Sequence, residues 1–154
     1  MTITQLTGLL GLVFGVIGTV LGVLNYLRDR AEVKVTLQWD MAVTPGGKYD
    51  ATKRWGIVRV ANVGRRPVFV SHVAIRVPKG FEHSHLVVGE GISGVTLREG
   101  DPVSTFVVSQ EGLHKYASCW KKLVAQVTDA SGREWKSKAT SNDTVPSWAT
   151  APNR

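Results

Sequence analysis

The residues of this chain that could do chemistry fall in a few short clusters. His83 and His85, one residue apart, would project on one side of a strand, a spacing that some metal sites use. Such a site needs further ligands, and only Glu82, His72 and His114 offer them. The plainer reading is an exposed loop pair, so no metal is expected. Cys119 could act as a nucleophile with His114 as its base. Their five-residue spacing does not bring them together on a helix, and a buried thiol beside Trp120 is the commoner arrangement.

Gly89-Glu90-Gly91-Ile92-Ser93-Gly94 fits the G-x-G-x-x-G pattern of dinucleotide binding. That chemistry needs the last glycine to open a helix whose N-terminus holds the pyrophosphate. Here Val95-Thr96-Leu97-Arg98-Glu99-Gly100 follows, which reads as strand and turn. The segment is therefore expected to be a glycine-rich loop without a cofactor. Lys53-Arg54, Arg65-Arg66 and Lys121-Lys122 are basic pairs, with Trp55 and Trp120 close by. Stacking aromatics beside positive charge can hold single-stranded nucleic acid. Tryptophans more often belong to a core, and basic turns near a bilayer meet anionic lipid at about 1 kcal/mol per residue. Nucleic acid is the disfavoured partner. The chain has no G-x-S-x-G elbow, paired-carboxylate motif or P-loop. The expectation is a protein that is not an enzyme.

The elements that carry these clusters divide the chain in two. No charged residue precedes Arg28, and all 19 Lys and Arg and all 12 Asp and Glu follow Leu27. The net charge of +7 favours acidic partners: anionic headgroups, nucleic acid or an acidic protein. Leu6 to Leu24 carries no formal charge and includes twelve Leu, Val, Ile or Phe. At about −0.3 to −0.6 kcal/mol each, these contribute roughly −4 to −7 kcal/mol toward membrane insertion. A helix over residues 3–27 would span roughly 37 Å, enough to cross a hydrocarbon core of about 30 Å with some tilt. A cleaved signal peptide fits less well, because Met1 to Gln5 has no basic residue. Arg28, Arg30 and Lys34 follow the span, so the positive-inside rule predicts the N-terminus outside and the remainder in the cytoplasm.

Within the span, Gly8, Gly11, Gly15, Gly18 and Gly22 recur at intervals of 3, 4, 3 and 4. A period of 3.5 keeps them on one helical face, which Thr4 and Asn25 extend. Glycine gains nothing by facing lipid tails but lets a second backbone approach. The stripe predicts close helix–helix packing, most simply homo-oligomerisation with left-handed crossing.

Residues 1–30 are thus expected to be the membrane helix with its basic stop, 31–139 a soluble β domain, and 140–154 a flexible tail with Trp148 docking. Val33, Val35, Leu37, Trp39, Met41 and Val43 alternate with polar or small residues, the clearest strand signal in the chain. Further strands are expected over 55–63, 68–77, 85–88, 94–97, 103–108, 123–128 and 134–138. Both alternating sets of 68–77 are apolar, which predicts a central strand covered on both faces. A short helix is expected near 110–120, capped by Ser109, with Leu113, Tyr116 and Trp120 on its apolar face. Short strands separated by turn signals predict an antiparallel immunoglobulin-like sandwich, with a small partly open β-barrel as the alternative.

The order of apolar anchor, Arg28-Asp29-Arg30, strand, then Asn62-x-Gly64-Arg65-Arg66-Pro67-Val68 resembles a group of small bacterial single-pass membrane proteins. The turn Thr128-Asp129-Ala130-Ser131-Gly132-Arg133 is similar too. The resemblance implies an immunoglobulin-like fold and brings no catalytic residue with it. The functional expectation is a self-assembling interaction or scaffold module in the inner (plasma) membrane, displaying its β domain to a membrane-complex partner. The alternative is a membrane-perturbing, pore-forming effector of bacterial or phage origin with a gating or sensing domain.

Overall fold

The structure, a computed structural model, describes residues 3–140 and 144–150. Helix α1 runs from Ile3 to Arg28, 26 residues and about 39 Å at 1.5 Å per residue. It is long and apolar enough to cross a membrane, and none of its residues is buried against the rest of the chain. Two of its three threonine hydroxyls turn inward: Thr7 Oγ1 donates to Ile3 O and Thr19 Oγ1 to Gly15 O, both at 2.8 Å. Both hydroxyls are thereby satisfied within the helix itself.

Among the described residues eight strands follow: β1 (Val33–Ala42), β2 (Arg54–Asn62), β3 (Val68–Arg76), β4 (His85–Val87), β5 (Val95–Leu97), β6 (Ser104–Ser109), β7 (Val124–Asp129) and β8 (Glu134–Lys136). They form two antiparallel sheets. One has the order β1-β2-β6; the other has the order β4-β3-β7-β8, with β5 also paired to β3. Val35, Val58, Val60 and Phe106 from the first sheet share one buried cluster with Val70, Val73, Ile75 and Val127 from the second. The hydrogen-bonded ladders stay separate, so the arrangement is two layers and not the partly open barrel considered above.

Two bulges alter the expected alternation. In β1, Val33 and Val35 face the core, but the register with β2 jumps between Gln38 and Met41. Asp40 lies in that bulge at φ 60°, a left-handed conformation that Asp tolerates better than most residues. In β3 the register with β7 shifts between Val70 and His72. Val68 and Val70 are buried before the shift, Val73 and Ile75 after it. The two apolar sets in 68–77 therefore reflect a change of phase along one core-facing surface. The strand is central, as expected, but both faces are covered only around Val73–Ile75, where Ala74 is buried as well.

The helix expected near 110–120 is a 3-10 segment, Leu113–Lys122. Gly112 precedes it at φ 76° and Cys119 breaks its regularity at φ −124°, so no continuous α-helix forms. Ser109 does not cap it; its Oγ accepts the Glu111 N–H at 3.2 Å in a local turn. The apolar face holds nonetheless: Leu113, Tyr116 and Trp120 are buried.

Trp148, on the short helix α2 (Ser147–Thr150), docks against the sandwich, its ring 5.4 Å from that of Trp39 in an edge-to-face arrangement. Asp40 holds the start of α2, accepting the Ser147 N–H at 2.7 Å and its hydroxyl at 2.6 Å. The expected flexible tail over 140–154 is thus anchored at 147–148, while residues 141–143 and 151–154 of that expectation lie outside the described residues.

Candidate functional site

Among the described residues, the glycine stripe of α1 has no neighbour. A Cβ built on Gly8, Gly11, Gly15, Gly18 or Gly22 meets nothing within 4 Å. No packing among the described residues explains why five positions on one face lack a side chain.

The helix leaves that surface and enters a tightly built junction. Val63 N and Gly64 N both donate to Glu32 O, at 2.9 and 3.1 Å. A Cβ on Gly64 would lie 2.1 Å from Arg30 O and 2.7 Å from Glu32 N, so only glycine lets the β2–β3 turn press against the linker. Asn62 organises the turn from within. Its Oδ1 accepts the Gly64 N–H at 3.0 Å, and its Nδ2 donates to Arg66 O at 2.8 Å and Leu97 O at 3.0 Å. Arg66 then reaches back to Asp29, donating from Nε at 3.2 Å and Nη2 at 2.8 Å. The Asn-x-Gly-Arg-Arg-Pro sequence is therefore the socket for the helix exit.

Register places other turns at the same end. Val33 pairs with Asn62, Val60 with Ser104, Val68 with Leu97 and Val70 with Asp129. The β2–β3, β5–β6 and β7–β8 connections therefore share the end from which the helix departs. The cations in these connections and in the helix exit are Arg28, Arg30, Arg65, Arg66, Arg98 and Arg133. A groove of about 590 Å³ opens there, lined by Tyr26, Asp29, Arg30, Arg66, Arg133 and Trp135 together with Ala31 and Glu32. The Arg30 guanidinium sits 5.9 Å from the Tyr26 ring centre, and that of Arg133 the same distance from the Trp135 ring. The sequence reading singled out Arg28, Arg30 and Lys34. Arg28 ends the helix and Arg30 lines the groove, whereas Lys34 projects to solvent from β1. Arg66 enters the sequence reading only as half of a basic pair in a turn, and Arg133 and Trp135 are not joined to the helix exit there, because only tertiary register brings the three to it.

The other clusters resolve into structural roles. Gly89–Ile92 is a 3-10 turn, and strand β5 follows where a nucleotide site would need a helix. A Cβ on Gly91 would meet Val73 Cβ at 2.7 Å, and one on Gly94 would meet the Phe69 ring at 2.7 Å. The glycines let this loop lie flat on β3. Glu90, between Gly89 and Gly91, accepts from Lys48 Nζ at 2.6 Å, Tyr49 OH at 2.5 Å and Val107 N at 3.3 Å. The Lys48 and Tyr49 hydrogen bonds hold its carboxyl below the usual range.

His83 and His85 are exposed, and among the described residues no group of three or more His, Cys, Asp or Glu is placed to hold a metal ion. Cys119 is half-buried; burial raises its pKa, and its thiol donates to Tyr116 O at 3.3 Å rather than meeting His114. Trp120 belongs to the core, and half-buried Trp55 donates from Nε1 to Asp50 O at 3.0 Å. Lys53, of the first basic pair, is engaged with Glu111 at 2.6 Å.

No protein-family model matches this sequence, and comparison with curated proteins returns no match.

Proposed function

We propose that this chain is a membrane-anchored, self-assembling, non-enzymatic interaction module. Helix α1 holds it in a bacterial inner (plasma) membrane, the glycine stripe packs copies together, and the sandwich is displayed as a multivalent surface to a membrane-complex partner. Avidity then compensates for weak individual contacts. The observation that carries this reading is the helix itself. It has an apolar surface with no buried residue, and a face of five glycines with no contact in the single chain. A helix that packed on its own domain would not need that face.

The orientation in this reading is N-terminus out and sandwich in the cytoplasm. The arginine-rich end of the sandwich adds Arg65, Arg66, Arg98 and Arg133 to the flanking cations Arg28 and Arg30. The sandwich is read as immunoglobulin-like. Taking β1, β2, β6 as A, B, E and β3, β7, β8 as C, F, G gives A-B-E on one sheet and C-F-G on the other. It departs from antibody domains in having no inter-sheet disulfide, because Cys119 is the only cysteine.

The test is fractionation and mass measurement of the full-length protein. The reading expects it in the membrane pellet, released by detergent as an oligomer. A monomer in detergent would remove the assembly role, and a soluble product without detergent would remove the whole reading.

A further inference from the structure

We propose that the groove at the helix–sandwich junction binds the phosphodiester headgroup of an anionic phospholipid and thereby sets how the sandwich sits on the bilayer. This rests on the membrane-anchored reading above.

The first argument is depth. Apolar sequence in α1 ends at Leu27, and the groove takes Tyr26, Asp29 and Arg30 from the same stretch. Tyr26 to Arg28 rises roughly 3 Å in the helix, and Asp29 and Arg30 follow its end directly. The headgroup layer of one leaflet is about 5–8 Å thick. A helix seated in the hydrocarbon core therefore carries this groove into the layer where lipid phosphates lie.

The second argument is the donor set. Arg30, Arg66 and Arg133 come from three separate connections and line one groove. Guanidinium is the planar fork that binds phosphate oxygens in pairs. Asp29 accepts from only two of the five donors of Arg66. Tyr26 and Trp135 stack beside Arg30 and Arg133, and such amphipathic rings favour the headgroup level.

The third argument is charge. Three arginines against Asp29 and Glu32 leave +3 − 2 = +1 in the lining. That balances the single negative charge of a phosphodiester. The volume, about 590 Å³, is that of a small-molecule site.

The fourth argument is rigidity. Gly64 seats the β2–β3 turn on the linker, so a lipid held by Arg30 and Arg66 is held against the helix and the sandwich at once.

The experiment uses full-length protein extracted from membranes in mild detergent, with added phosphatidylglycerol or phosphatidylcholine, and reads bound lipid by native mass spectrometry. Phosphatidylglycerol should bind in preference. Arg30→Gln with Arg133→Gln should weaken it about 30-fold, as expected for two interfacial arginines. Arg30→Lys with Arg133→Lys, which keeps charge but loses the forks, should retain part of the preference. Arg54→Gln with Lys79→Gln removes the same charge from the opposite end of the sandwich and should change binding less than twofold. Equal losses in the two Gln pairs would overturn the groove in favour of diffuse charge attraction. Displacement of the lipid by excess inorganic phosphate would overturn the lipid assignment. If the protein pellets with membranes but binds both lipids alike, this proposal alone fails; if it does not pellet, the membrane-anchored reading fails first.

Discussion

Arg66 grips Asp29 through two guanidinium nitrogens that converge on one carboxylate oxygen, Nε at 3.2 Å and Nη2 at 2.8 Å. The pair ties the β2–β3 turn to the first residue beyond the helix, 37 positions away in sequence. It is not what holds the junction. Both side chains are more than half exposed, where water and salt screen such pairs. The rigid element is Gly64, whose missing side chain leaves room for Arg30 O.

The two contributions separate by mutation. Gly64→Ala would set a Cβ 2.1 Å from backbone oxygen, which cannot rotate away. The expected cost is about 1–3 kcal/mol in urea unfolding of the full-length protein in detergent. Asp29→Asn should produce a small shift that disappears in high salt. A larger effect from Asp29→Asn than from Gly64→Ala would reverse this account.

The glycine-rich loop makes a second prediction. Gly91→Ala would drive a methyl to 2.7 Å from Val73 Cβ, an atom of a buried strand. Loss of about 1–3 kcal/mol is expected, by the usual cost of overpacking. NAD and ATP should leave the melting temperature of the native protein unchanged. A nucleotide-dependent rise would show that packing is not the loop's whole purpose.

How much of this was legible beforehand depends on the range of the interaction. Alternation in Val33–Leu37 marks β1, and Asp129-Ala130-Ser131-Gly132 marks the hairpin in which Asp129 Oδ1 accepts from Ser131 N and Arg133 N at 2.8 Å. Those are local signals. The bulges at Asp40 and Ser71 were not legible. Asp40 turns away to hold Ser147, 107 residues on, and Ser71 Oγ donates to Thr128 O across the sheet at 2.9 Å. The junction was half visible. Asn62-x-Gly64-Arg65-Arg66-Pro67 reads as a turn, but what the turn rests against depends on which strands pair. Arg133 and Trp135 are placed beside Arg30 by sheet register, which composition does not encode.

Glu90 gives the pH prediction. Hydrogen bonds from Lys48 and Tyr49 hold its folded-state pKa below the ordinary value. A lowered pKa contributes stability that is complete above the unfolded glutamate range and is lost as pH falls through the folded value. Its side chain is 33% exposed, so the contribution is about 1 kcal/mol or less. Wild type should therefore exceed Glu90→Gln in urea midpoint near neutrality, with the gap closing in acid below the usual carboxylate range. A gap that widened on acidification would carry the wrong sign for this network.

Cys119 should be slow to react. Burial raises its thiol pKa, with Lys122 opposing weakly, so the thiolate fraction at neutral pH is below that of a free cysteine. Modification by a maleimide should be slower in native protein than in urea-unfolded protein, and His114→Ala should not alter it. Fast native labelling that His114→Ala abolished would restore the nucleophile pair.

The stripe on α1 is tested by making the helix more apolar. Gly15→Leu and Gly18→Leu add side chains to the face that has no neighbour in the single chain. Both changes favour insertion, so anchoring should persist and only association should suffer. Close approach of two backbones is what glycine permits, and two leucines would force the axes apart. Association in detergent should weaken about tenfold or more, roughly 1.4 kcal/mol. Leu12→Ala and Val13→Ala, on other faces, should have little effect. The stripe has a period of 3.5, so disulfides engineered along it should follow left-handed packing, with neighbouring positions cross-linking every third and fourth residue. If the leucine variants sediment with the same mass as wild type, the glycines serve some purpose other than assembly, and the multivalent display loses its basis.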